Sequence, residues 1–451
     1  MNDDYELDPK IQEDRKKRRE ELRKKRQQRK MIIYAALAVF LVLIIVLCIT
    51  RCTKKAKPGD EPTETVEQQP EGELDPVVPE QSDVPIRENA TVTLAAVGDI
   101  MCYDEQIDDA FITGGGYDFK RAFAGVKDVL SAADLTVGNL ETNFAGTPYK
   151  GYPTFSSPPQ LAEALADAGF DLLQTANTYS MENGFPGLTS TINTLSEAGI
   201  TAVGTYASRE SASENGGVVF KDVNGIKFAF IAFTKGINGR TRPAEYSYCV
   251  NLLYTDYTGS FNQVDETAVL QSIQNAKAQE PDVIVALVHW GGEYDVAPTD
   301  SQNTVADLMF RNGVDVIIGS HSHVVGPMEQ RTVTTVDGKN KTVFLAYSLG
   351  NFYSSMTKDG TQASAILQLT FTLDGMTGET SISKMEYVPA YIADLGSNAE
   401  DRYQILNIGK EIDRYIGGAE DRVTPEIYGE LKRARDLLHQ DDRAGTQYAA
   451  D

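Results

Sequence analysis

The sequence predicts an α/β fold built on a mixed β-sheet, and three observations predict it. Short apolar runs recur along the chain, helix-like stretches separate several of them, and two hairpins are added to the alternation. The apolar runs are "TVTLAAV", "DLTVG", "FDLLQTA", "VIVALVH", "VDVIIGS" and "VFLAYSLG", each of strand length. The helix-like stretches are Pro158–Ala168, Gly187–Ala198, Glu266–Ala278 and Thr304–Asn312. The segment "GVVFKDVNGIKFAFIAF" reads as a hairpin turning at Asn224-Gly225, residue types that tolerate the positive φ angles of a tight turn. The segment "RTVTTVDGKNKTVFLAYS" reads as a second hairpin, turning near Asp337-Gly338.

The flanks of this body differ from it. Residues 1–30 form a basic segment, dense in Lys and Arg from Arg15 to Lys30. Residues 31–50, "MIIYAALAVFLVLIIVLCIT", carry no charge and are long enough to cross a bilayer as a helix. A basic block before the span predicts a cytoplasmic N-terminus and a main domain outside the cell membrane. A cleaved signal peptide is the competing reading. The run exceeds a typical signal core of about 7–15 residues, and no small-residue cleavage site follows it. Leu47, not a small residue, precedes Cys48. Residues 51–90 are rich in Pro, Glu, Asp and Gln without apolar period, and predict a disordered acidic linker. The body is expected over 91–395, and a helical extension over 396–451.

A net charge of -23 over 451 residues argues against a nucleic-acid partner. The bilayer is the expected partner of the N-terminal span. Of the four cysteines, only Cys102 and Cys249 belong to the body, so stability must come from an apolar core and not from a disulfide framework.

Unusual polar residues cluster at the carboxyl ends of the strands. "LAAVGD" ends in Asp99, "LTVGNLE" in Asn139 and Glu141, and "LLQTAN" in Asn177. "IVALVHWGGE" ends in His289 and Glu293, "VIIGSHSH" in His321 and His323, and "LAYSLGN" in Ser348 and Asn351. Ligands of open α/β sheets bind at this edge. Three of the four histidines lie there. In an extended chain His321 and His323 would point the same way and reach one point in space. That point could hold a metal, a substrate anion or nothing. Asp99 and Asn177 also suit helix N-caps, and Gly98, Gly138, Gly319 and Gly350 suit turns. Asp, Glu and His without a site cysteine suit Mn, Fe(II) or Zn, as one ion or two. A bridging carboxylate from Glu141 would fit a two-ion site.

The runs "VGDIM", "NLET", "SSPPQLAEALADAGFDLLQTANTYSMENGF", "VHWGGEY", "GSHSHVVGPME" and "YSLGNFYSS", in this order, resemble the CapA family of capsule-synthesis proteins from poly-γ-glutamate producers. The resemblance covers roughly Thr91 to Ala390. It implies the calcineurin-like metallophosphatase fold, a four-layer sandwich of two mixed sheets with helices outside. By position it implies Asp99, Glu141, His289, His321 and His323 as ligands of a divalent metal. Ser348 and Asn351 would shape the pocket edge, Trp290 and Glu293 would flank it, and Asn139 and Asn177 would line it. One stretch departs: the family reads Ala-Asn-Asn-His-Ser where this chain has Ala176-Asn177-Thr178-Tyr179-Ser180. In metallophosphatases the Asn-His pair supplies a metal ligand and a proton donor. Tyr179, with an unperturbed pKa near 10, is a poor acid near neutral pH, and Thr178 is a weaker ligand than an amide.

Two function classes follow, beside a third reading as a structural envelope protein that merely inherited the fold. One is a metal-dependent hydrolase of a phosphate ester or peptide-like bond in a surface polymer, with Tyr179 or Glu293 assisting proton transfer. The other is a non-enzymatic subunit that binds an anionic polymer such as poly-γ-glutamate, or docks onto capsule-synthesis membrane subunits. Lys235, Arg240 and Arg242 would then form a basic pocket or merely a solvated loop.

Overall fold

β1 (Ala90–Ile100) is apolar on both faces because it is covered on both. Val92, Leu94 and Ala96 face a second sheet, whereas Val97 and Ile100 face helices. The computed structural model describes residues 87–439 apart from 398, 400, 420 and 421, together with the two-residue strand Gln447–Tyr448. The expected basic segment, transmembrane helix and most of the linker fall on residues 1–86 and lie outside the described residues. Among the described residues no helix is long and apolar enough to cross a membrane.

Sheet 1 has the order β14 (Tyr403–Asn407), β13 (Thr380–Asp394), β12 (Ala363–Leu373), β1, β2 (Leu135–Leu140), β3 (Leu172–Gln174) and β4 (Thr201–Val203). β1 to β4 are parallel, and β12 to β14 are antiparallel. The short β11 (Asn351–Tyr353) pairs with the end of β1. Sheet 2 has the order β5 (Val219–Val223), β6 (Ile226–Thr234), β7 (Val283–His289), β8 (Val316–Ser320), β10 (Asn340–Ala346) and β9 (Met328–Thr334). Its four middle strands are parallel, and each outer strand is the hairpin partner of its neighbour. Both expected hairpins are present. Asn224 and Gly225 take φ of 47° and 83°, as a two-residue turn between right-twisted strands requires.

The two sheets enclose the largest core, built from alternate residues such as Leu94, Phe228, Phe230, Val285 and Leu367. Outside sheet 1, Leu161 and Leu165 of the helix Gln160–Ala168 pack with Phe123 and Leu130. Outside sheet 2, the helices Glu266–Lys277 and Asp300–Arg311 bury Val269, Ile273, Met309 and Phe310. This is the four-layer order that the resemblance implies. Side-chain oxygens of Asp265 and Thr299 cap those last two helices.

The body begins before Thr91. Arg87 donates its backbone N–H to Gly375 and pairs with Asp282 at 2.6 Å. The C-terminal region is not helical throughout: β14 joins sheet 1 beside β13. The helices Ile408–Ile416 and Pro425–His439 then place Ile412, Leu431 and Leu438 against the inner face of sheet 1. Cys102 and Cys249 are free and buried in different cores.

Candidate metal centre

The parallel strands of both sheets deliver their carboxyl ends to one place, and the polar residues anticipated there converge. β1 reaches it through an irregularity. Its register with β2 shifts between Ala96 and Asp99, which re-aims Asp99. Gly98 makes this possible without being a turn residue. A Cβ there would stand 1.8 Å from the Gly350 carbonyl oxygen. Gly319 in β8 is similar, with the Tyr347 carbonyl oxygen 2.0 Å from where a Cβ would sit. These two glycines serve close approach of backbones and not, as their type suggested, turning.

Asp99 Oδ2 lies 3.1 Å from His323 Nδ1 and accepts the His321 backbone N–H at 3.3 Å. Asn139 donates to Asp99 Oδ1 at 2.8 Å. Glu141 Oε1 lies 3.4 Å from His289 Nε2, while Ser320 Oγ takes up His289 Nδ1 at 2.9 Å. Two sets of potential ligands result, Glu141 with His289 and His321, and Asp99 with Glu141 and His323, the atoms of each set lying within 4.8 Å of one another. All five residues are buried, and Glu141 belongs to both sets.

His321 and His323 do not converge as an extended pair. β8 ends at Ser320, and the two histidines take φ of 96° and 59°. Left-handed backbone at non-glycine residues is strained, and it persists only where the surroundings enforce it. Here the Asp99 carboxylate holds the His321 N–H, and Tyr294 donates its N–H to the Ser322 carbonyl at 2.7 Å.

Burial alone would raise the Asp99 carboxyl, but the His323 hydrogen bond and charge, with His289 and Asn139, hold it below the usual range. Burial would lower His323, but the Asp99 bond and the charges of Glu141, Asp99 and Glu293 bring it up to about 9. Burial, then the charges of His289, Lys235 and His323, keep His321 neutral, well below its ordinary value. A neutral imidazole is a ready ligand. The donor set fits a divalent ion on a further ground: Glu141 Oε1 is buried without any hydrogen-bond partner.

The remaining anticipated residues divide. Asn351 orients His323, with Oδ1 3.0 Å from Nδ1, and is itself tied to the Thr361 carbonyl. Asn177 is no helix cap. It braces the loop, donating to Asn139 Oδ1 at 3.0 Å and accepting the Tyr179 N–H at 3.1 Å. Ser348 Oγ accepts the Gly350 N–H and so shapes the turn beside Gly98. Glu293 is exposed at the mouth, where its charge acts on Tyr179, His323 and Lys235. Trp290 does not flank the pocket: it follows His289, so it points the opposite way. It is fully buried in the outer core and donates to the Tyr347 carbonyl at 3.1 Å.

Tyr179 stacks edge-on against Phe155, ring centroids 4.7 Å apart, beside Met101. Burial, then the charge of Glu141, pushes its phenol far above the usual range, so it stays protonated. Thr178, expected as a weak stand-in for a metal ligand, stands between the rings with Oγ1 2.9 Å from His289 Nε2 and 3.4 Å from His321 Nδ1. Ser320 was missed, and its place directly before the His pair was its one signal. Lys235 joins the site, whereas Arg240 pairs with Glu182 at the surface and Arg242 donates to the Val250 carbonyl. The three cations therefore form no common pocket.

The chain is similar to several known proteins. The chain is 27% identical over 291 residues to the capsule biosynthesis protein CapA of Bacillus anthracis, covering 62% of this chain and 64% of that one. It is 28% identical over 298 residues to the PGA biosynthesis protein CapA of Bacillus subtilis strain 168, covering 64% and 70%. The chain thus spans about two thirds of the length of these curated relatives. The solved calcineurin-like phosphoesterase YfkN from Bacillus subtilis aligns with a TM-score of 0.36 and 14% identity, over 78% of this chain and 98% of that one. The family model of the bacterial capsule synthesis protein PGA_cap matches residues 93–356. That stretch contains both ligand sets with the asparagines that brace them, and it places the chain in the PGA_cap family of bacterial capsule synthesis proteins.

Proposed function

We propose that this protein is a membrane-anchored, extracytoplasmic capsule or surface-polymer protein that hydrolyses a phosphate ester or peptide-like bond at a two-ion centre. One observation carries the reading: two buried ligand sets share Glu141, whose Oε1 has no other partner. Glu141, His289 and His321 would hold one divalent ion, and Asp99, Glu141 and His323 the other. Bound there, Mn, Fe or Zn would polarise the scissile group and lower the pKa of water. The chain's own residues do the rest. Asn139 and Asn351 fix the carboxylate and imidazole that they touch. Tyr179, protonated throughout, donates a hydrogen bond, and Glu293 is the exposed carboxylate that takes up a proton at the mouth. The uncharged run 31–50 behind a basic block supports the anchor. The names of the Bacillus relatives support a capsule polymer, poly-γ-glutamate among the candidates, and membrane synthesis subunits as partners.

The test is metal content and turnover of generic phosphodiesters by the full-length protein in detergent, with His321→Ala as control. Metal-dependent turnover lost in the control is the expected result. Protein that takes up no metal and turns nothing over sinks the reading. A second reading, a polymer-binding subunit with a silent site, is favoured by Thr178: a hydroxyl, not a strong ligand or acid, stands against His289. Full metal uptake without turnover would select it.

A further inference from the structure

Lys235 follows β6 directly, and its backbone N–H donates to the His289 carbonyl at 2.8 Å. The strand pairing that places His289 therefore places Lys235 as well. Its ammonium is half-buried, donates to the Gly291 carbonyl, and lies over the Phe261 ring, 4.5 Å from the centroid. Among the described residues no carboxylate oxygen lies within ion-pair distance of it, and Glu293 and Asp295 act only from further away. An ammonium has three donors, and Gly291 takes one.

The open side of the ammonium faces His321, with Nζ 3.4 Å from Nε2. The opposite nitrogen, Nδ1, is turned toward Thr178 and so toward the side where His289 Nε2 lies. A neutral imidazole carries one proton, and the nitrogen that offers its lone pair to a cation is not the protonated one. With Nδ1 serving as the ligand atom, Nε2 carries the hydrogen. An N–H and an ammonium then confront each other with no acceptor between them. Two such donors are satisfied together only by an acceptor that lies against both, and an anionic one most strongly.

We propose that Lys235 and the His321 Nε2–H jointly hold an anionic oxygen of the substrate, phosphoryl or carboxylate, beside the metal centre. Lys235 is thus a positioning and specificity residue: it selects a charged group at a fixed distance from the reacting bond. The assignment rests on the two-ion reading of the site. The face of Phe261 limits where the ammonium can swing, so the donor is held in place before substrate arrives.

The experiment is calorimetric titration of full-length, manganese-loaded protein in detergent, with inorganic phosphate in one arm and glutarate in the other. The anion that binds identifies the source of the oxygen. Lys235→Met is expected to weaken that anion by about tenfold or more, while Lys235→Arg keeps most of the affinity. Manganese content stays unchanged in both variants, because Lys235 is not a ligand. Lys235→Met protein that keeps its manganese and binds the anion as well as wild type overturns the assignment. So does wild-type protein that holds manganese yet binds neither anion, and so does loss of manganese from Lys235→Met and Lys235→Arg alike. Wild-type protein that takes up no manganese sinks the two-ion reading and this assignment with it.

Discussion

Glu141→Gln is the sharpest perturbation of the centre because its effect on stability should change sign with metal. The Glu141 carboxylate is 1% exposed, Oε1 has no hydrogen bond and lies 3.4 Å from His289 Nε2, and Oε2 meets Asn139 Nδ2 at 3.4 Å. An unsatisfied buried polar group costs about 1–3 kcal/mol, more when charged. The amide removes that charge, but also its attraction to the His323 imidazolium. The net gain expected in metal-free protein is therefore small, about 1 kcal/mol. With manganese at a hundred times its dissociation constant, each ion stabilises the folded state by about 2.7 kcal/mol. Glu141 belongs to both sets, so the variant forfeits up to about 5 kcal/mol. Thermal unfolding with chelator should put the variant level with or above wild type, and with manganese well below it. Metal content after desalting gives the second readout. His321→Ala and Asp99→Asn each break one set and should keep one ion where Glu141→Gln keeps none. A variant at Glu141 that retains the full manganese-induced shift would refute the shared-carboxylate reasoning.

Manganese must displace a proton from His323, whose pKa of about 9 lies above its ordinary 6.5. Affinity should thus rise about tenfold per pH unit up to about pH 9, measurable by competition with a fluorescent chelator. In metal-free protein the sign is opposite. The raised pKa contributes stability that is complete below about pH 6.5 and lost as pH rises through about 9, visible as a falling unfolding midpoint. Gly98→Ala drives a Cβ to 1.8 Å from the Gly350 oxygen, so β1 and β11 must separate at a cost of about 3 kcal/mol. Urea unfolding and a loss of bound manganese would both report it. Trp290→Phe removes the bond to the Tyr347 carbonyl and part of the outer core, costing about 1–3 kcal/mol with metal content unchanged. Loss of manganese in that variant would return Trp290 to the wall of the site.

Much of this was legible in the sequence because it is local. Strands covered on both faces read as unbroken apolar runs, as β7 and β8 do, and Asn224-Gly225 announces its own hairpin. What was not legible depends on pairing between distant segments. The hairpin of β12 and β13 links β14 to β1 in sheet 1, yet it carries no motif and its alternation is clean only at its outer end. Lys235 reads as loop until β6 is set in register with β7, when Thr234 falls opposite His289. Trp290 was legible and misread: alternation along β7 already assigns it the face opposite to His289.

The histidine pair shows why spacing alone was a right clue with a wrong reason. An extended Ser320–His323 would have continued β8 and aligned the two rings. The chain instead takes two left-handed residues within three, each costing about 1–3 kcal/mol. The bonds that hold this shape, from Asp99 to the His321 N–H and from Tyr294 to the Ser322 carbonyl, come from the protein itself. Contacts within the chain therefore offset the strain and fix the turn that carries both rings. A loop serving only to connect β8 to β9 would have relaxed it with glycine at either position. That imidazoles are kept there, buried and strained, is the strongest structural argument that the site exists to hold something.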